Sequence, residues 1–196
     1  MATIKANPVL KLMIRWIAAN FIAWPLGVLL AIILSHLVVN IFHPEETNLI
    51  VGLCVAFSIG FAQWLIIKRL VRTTFLWFVV PSIGIGLPYG LMIMQVEAGN
   101  DLPLLLDTEG IFMAVILFIC GAIVGLIQSQ LIFINRFKPY LWILLSGLSW
   151  SISITLNSFL FSGLIIGLVT LSVFILPLRN KEIVFESSPD RNVPDS

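Results

Sequence analysis

The sequence predicts an all-α integral membrane bundle of six transmembrane helices, arranged as three pseudo-repeated hairpins. Three observations predict it. Charge is scarce: 11% of the 196 residues are charged and 59% are apolar, whereas soluble domains carry roughly 25% charged residues. The charge that remains lies between long apolar runs and not inside them, as expected of a chain whose solvent is lipid. A ten-residue segment ending the second run, Gly-Phe-Ala-Gln-Trp-Leu-Ile-Ile-Lys-Arg at 60–69, returns in weaker form 65 residues later.

The elements follow in order. Lys5, Lys11 and Arg15 precede an apolar run at 16–39. That run exceeds the roughly 7–15 residues of a signal-peptide core and no A-x-A site closes it, so it reads as an uncleaved first span. The polar turn holding His43, Glu45 and Glu46 leads to a second span at 49–67, followed by Lys68, Arg69 and Arg72. A third span covers 75–94 and contains Pro81 and Pro88, which neighbouring helices can compensate in a bundle. A loop with four acids, Glu97, Asp101, Asp107 and Glu109, leads to a fourth span at 111–134. Residues 141–178 carry no charge. One helix of that length would reach roughly 57 Å, against a hydrocarbon core of about 30 Å. Two spans, 141–158 and 161–178, fit instead, with a tight turn near 157–163. The membrane domain is thus 1–181, and the polar 182–196 is expected to be a disordered tail.

Loop charge tests the count. Lys and Arg in successive non-membrane segments number 3, 0, 3, 0, 2, 0 and 3. The positive-inside rule produces this alternation when both termini are cytoplasmic. A five-span chain would place Arg179 and Lys181 outside, against it.

The repeat pairs Gly60, Gln63, Ile67, Leu76 and Trp77 with Gly125, Gln128, Ile132, Leu141 and Trp142. A third, shortened copy has Gly167 and Thr170 where the others have Gly and Gln. A 65-residue period spans two helices, so the copies would be parallel repeats about an axis along the membrane normal. Small residues recur every fourth position in all six spans, among them Gly52 and Gly60, Gly86 and Gly90, Gly121 and Gly125, Gly163 and Gly167. Such stripes let helix backbones approach closely, a main source of association in lipid. Trp16, Trp64, Trp77 and Trp142 are expected at the cytoplasmic boundary, where amphipathic rings settle.

The Gly-x-x-Gln-Trp-Leu-Ile-Ile-Lys-Arg segment, the downstream Trp and the glycine-rich helices resemble an uncharacterised family of small prokaryotic multi-pass membrane proteins. Many of its members are similar to cyanobacterial sequences, and their repeats often close on Gly-x-x-Thr-Gly. The resemblance covers most of 16–178. It implies a bacterial cytoplasmic membrane, with the thylakoid membrane as the alternative, and implies no chemistry. The chain departs from the family pattern at Ser129, where the second Trp would stand, and at Leu171, where Gly would follow Thr170.

Candidate functional residues are polar, not ionisable. Gln63, Gln128 and Thr170 occupy matching repeat positions, with Asn20 and Gln130 at similar depth. They are read either as interhelical hydrogen bonds, worth about 0.6 kcal/mol each on average, or as the lining of a central path. No Asp, Glu, Lys or Arg stands in mid-span, and intramembrane charges are what mark proton relays and ion pathways. His36 and His43 read as snorkelling or loop histidines before haem or pigment ligands, and the acidic loop as solvated before cation-binding. Cys54 and Cys120 read as small hydrophobes. No Gly-x-Ser-x-Gly, P-loop or dinucleotide fingerprint occurs, and no basic-aromatic interleaving points to nucleic acid. The expectation is a non-enzymatic protein without cofactor or metal. Its partners would be the bilayer and either another membrane protein or further copies of itself. The alternative is a small channel or facilitator for a neutral solute, lined by Gln63, Gln128 and Thr170.

Overall fold

A computed structural model describes residues 8–38, 47–69, 73–97, 108–131, 139–155 and 161–179. Among them every regular element is helical: α1 (Pro8–Val38), α2 (Thr47–Ile67), α3 (Leu76–Gly84), α4 (Gly86–Glu97), α5 (Thr108–Gln130), α6 (Pro139–Thr155) and α7 (Ser162–Arg179). Three of these helices, α1, α2 and α5, are long and apolar enough to cross a bilayer.

Helices α3 and α4 form one bent rod. The ladder continues through the bend, Ile85 N donating to Pro81 O at 3.0 Å and Tyr89 N to Ile85 O at 2.9 Å. Pro88 has no N–H for the carbonyl of Gly84, and its ring crowds that carbonyl. This is why α3 stops at Gly84.

Several helices run past the ends of their apolar runs. The first helix starts at Pro8, ahead of the run that opens at residue 16. Proline is well suited to a first helical turn, and Lys11 and Arg15, both exposed, end an apolar run without ending a helix. The third rod likewise runs on to Glu97. The fourth helix covers Thr108–Gln130; the last residues of the expected span, 132–134, lie outside the described residues. The 141–178 stretch holds two helices, Pro139–Thr155 and Ser162–Arg179. Ser162 and Gly163 open α7; residues 156–160 and the tail 182–196 lie outside the described residues.

The helices close into a ring. In order, α1 packs on α2, α2 on the α3–α4 rod, that rod on α5, α5 on α6, α6 on α7, and α7 back on α1. The closest approach joins α2 to α4: a Cβ on Gly90 would stand 2.7 Å from Leu49 Cα and 2.8 Å from Asn48 O. A Cβ on Gly52 would run into the Gly86 carbonyl. Only glycine permits backbones that near.

The core has two clusters. One gathers Trp24, Val55, Ile59, Ile85, Tyr89, Val124, Trp150 and Ile166; the other gathers Trp16, Ile67, Trp77, Trp142 and Leu171. The outside of the bundle is apolar on every helix, with exposed Leu26, Ile33, Phe61, Leu91, Phe112, Ile123, Leu144 and Leu168 among others. Apolar surface that extensive would be an association hazard in water and is ordinary against hydrocarbon. Among residues whose burial is described, no buried side chain carries a charge.

Candidate functional site

The polar residues singled out by the sequence meet at one level of the bundle, around three tryptophans. Trp16 begins the buried stretch of α1, Trp77 lies in the first turn of α3, and Trp142 in the first turn of α6. These are alternate members of the ring, so their side chains can touch only across its middle. They do: Trp16 and Trp142 meet edge to face with centroids 6.3 Å apart, and Trp77 and Trp142 meet at a tilt with centroids 5.3 Å apart. All three are 1% exposed or less. The sequence reading set these rings by depth alone; the structure shows that they face the interior of the bundle. The signal was available in the spacing. Trp16, Asn20 and Trp24 share one face of α1 at four-residue steps, as do Trp142, Ser146 and Trp150 on α6.

Around the indoles runs a chain of hydrogen bonds. Trp142 Nε1 donates to Gln128 Oε1 at 3.2 Å, joining α6 to α5. Trp16 Nε1 donates to Thr170 Oγ1 at 3.0 Å, joining α1 to α7. Gln128 Nε2 donates to the backbone carbonyl of Trp77 at 2.9 Å, joining α5 to α3. That carbonyl is available because Pro81, four residues on, has no N–H to offer it. Gln128 therefore repairs a proline-made defect, as neighbouring helices must in a bilayer.

On the α1–α2 side an extra amide intervenes. Gln63 Nε2 donates to Asn20 Oδ1 at 2.8 Å, and Asn20 Nδ2 donates to the Trp16 carbonyl at 2.9 Å. Gln63 and Gln128 thus each bond to neighbouring helices, with no bond between the two amides. Trp77 Nε1, in the position that would donate to Gln63, is buried without a partner.

The glycine preceding each of these polar residues packs in one register. A Cβ on Gly60 would meet Phe78 Cα at 3.0 Å and Pro81 Cγ at 2.8 Å. On Gly125 it would meet Ile143 Cα at 3.0 Å and Ser146 Cβ at 2.8 Å, and on Gly167 Ile17 Cα and Asn20 Cβ, both at 3.2 Å. In every case the neighbours are the residues one and four positions after Trp77, Trp142 or Trp16.

The serines were not anticipated. Ser162 Oγ donates to Ser153 O at 2.8 Å, linking α7 to α6, and Ser151 Oγ donates to Ala114 O at 2.9 Å, linking α6 to α5. A hydroxyl in an apolar helix gives no sequence cue to whether it bonds its own turn or the next helix.

The remaining candidates stand apart from this level. Gln130 is exposed at the end of α5. His36 is exposed and bonds through Nδ1 to the Ile32 carbonyl at 2.8 Å. Cys54 and Cys120 are separate free thiols on α2 and α5. Asp101, Asp107 and His43 lie outside the described residues, and of Glu97 and Glu109 only the helical backbone is described. Among the described residues no group of three His, Cys, Asp or Glu side chains is placed to hold a metal ion. No family model, curated protein or solved structure matches this chain.

Proposed function

We propose that this chain is a non-enzymatic, six-span component of a bacterial membrane that serves as a packing element, on which other membrane proteins or further copies of itself assemble. One observation carries the reading. The amides and the threonine hydroxyl at the indole level are held in hydrogen bonds that join adjacent helices, and three tryptophans fill the space that a central path would need. Interhelical hydrogen bonds of this kind hold a bundle together; chemistry or transport asks for polar groups left over. The common register of Gly60, Gly125 and Gly167 supports three pseudo-repeated hairpins, α1–α2, the α3–α4 rod with α5, and α6–α7. The alternating loop charge supports cytoplasmic termini.

The test is purification of the full chain in mild detergent, followed by native mass spectrometry. The packing reading expects a defined oligomer or a stoichiometric membrane-protein partner; a bare monomer would sink it. A second reading, a facilitator for a small neutral solute, draws on two buried indole N–H groups without acceptors, Trp24 Nε1 and Trp77 Nε1. It expects solute flux in proteoliposomes that Gln63→Leu with Gln128→Leu abolishes. Absence of flux from the native protein would remove it.

A further inference from the structure

We infer that the α1–α2–α3 face is a binding site for one anionic diacyl phospholipid, its phosphate on Lys68 and Arg69 at the end of α2 and one acyl chain along α2. The inference takes the helices to lie in a bilayer and is independent of the packing role.

The observations run from the rim inward. Lys68 and Arg69 follow the last turn of α2, both exposed, with no ion pair to either among the described residues. The Lys68 ammonium sits 3.9 Å from the centroid of the Trp64 ring. Two exposed cations side by side suit a phosphate diester.

From Trp64 an aromatic track descends. Phe61 and Phe57 stack at 5.9 Å, and Phe78 of α3 stands edge-on to Phe57 at 5.3 Å, to Phe61 at 5.5 Å and to Trp64 at 5.4 Å. Phe57 and Phe61 remain over one-third exposed, at 37% and 38%. Phe57 also lines an apolar groove of about 310 Å³, formed with Leu30, Leu34, Leu53, Cys54 and Ser82. Lys68 and Phe57 are eleven residues apart, or ~16 Å along a helix, and half of a hydrocarbon core is ~15 Å. An acyl chain whose headgroup rests on Lys68 therefore ends at the groove. The charge selects the lipid: a phosphate alone complements Lys68 and Arg69, whereas a choline headgroup would bring a third cation to the same place.

The test is native mass spectrometry of the full chain in mild detergent. It is titrated with phosphatidylglycerol or with phosphatidylcholine of identical chains, and glycerol phosphate serves as a soluble competitor. Phosphatidylglycerol is expected to saturate one site at about tenfold lower concentration than phosphatidylcholine. Lys68→Gln and Arg69→Gln should each weaken it about fivefold, the effect of one basic residue at a lipid surface, and leave phosphatidylcholine unchanged. Leu34→Trp, at a partly exposed position, should fill the groove and lower phosphatidylglycerol occupancy without altering charge. Equal affinity for the two lipids, or insensitivity to all three substitutions, would overturn the proposal. Displacement by glycerol phosphate would overturn it in favour of a soluble-anion site. The oligomer and partner masses in the same spectra judge the packing role separately.

Discussion

Three buried tryptophans hold equivalent places at the indole level, yet only two of them bond. Trp16 and Trp142 donate to Thr170 and Gln128, whereas Trp77 Nε1 has no acceptor. The places also differ in the residue four positions on: Asn20 lies between Gln63 and the Trp16 carbonyl, where α3 has Pro81 and α6 has Ser146. This makes a paired prediction. Trp142→Phe and Trp77→Phe remove the same indole volume from the same cluster, but only the first also strands Gln128 Oε1. Interhelical hydrogen bonds in membranes average about 0.6 kcal/mol with a ceiling near 1.7, so Trp142→Phe should be the more destabilising by about that range. Unfolding of both variants by detergent titration measures the gap. Equal losses would mean that the 3.2 Å bond to Gln128 contributes nothing.

At the scale of the element, the α3–α4 rod shows how proline and glutamine act as a pair. Pro81 leaves the Trp77 carbonyl without its helical donor and Gln128 Nε2 supplies one from α5. Pro81→Ala would return an N–H to that carbonyl. Gln128→Leu should therefore cost less in the Pro81→Ala background than alone. A double-mutant cycle should give a coupling of about 0.5–1.5 kcal/mol, and strict additivity would remove the compensation argument. This element also marks how far the sequence could be read. Pro81 and Pro88 were visible, and so was Gln128 one repeat period from Gln63. That Pro88 interrupts the helix while Pro81 is absorbed was not visible, because the difference lies in the donor that another helix brings to Trp77. Small-residue stripes were legible as contacts because a glycine in an apolar helix has few other uses. The inward orientation of the tryptophans did not follow from their depth in sequence, because a lipid-facing ring and a buried ring at one depth differ only in the face of the helix they occupy.

At the scale of the molecule, the contact of α7 with α1 closes the ring and sets the two helices against each other in a fixed direction. Gly163 packs near Asn20 and Trp24, Gly167 near Ile17 and Asn20, and Thr170 bonds Trp16. The numbers rise along α7 as they fall along α1, so the two helices are antiparallel, and the start of α1 lies beside the end of α7. The same end of the bundle carries Lys11 and Arg15 on α1, Lys68 and Arg69 after α2, and Arg179 closing α7. Basic residues gather on the cytoplasmic side of membrane proteins, so this end should face the cytoplasm. Reporter fusions after residues 69, 138 and 196 should then be active as cytoplasmic reporters. Fusions within 40–46 and 98–107 should be active only as periplasmic ones. A periplasmic signal at 196 with a cytoplasmic one at 69 would separate the two ends that the α1–α7 contact holds together. It would refute the six-span arrangement, because an odd number of crossings cannot return the chain to the side from which α1 begins.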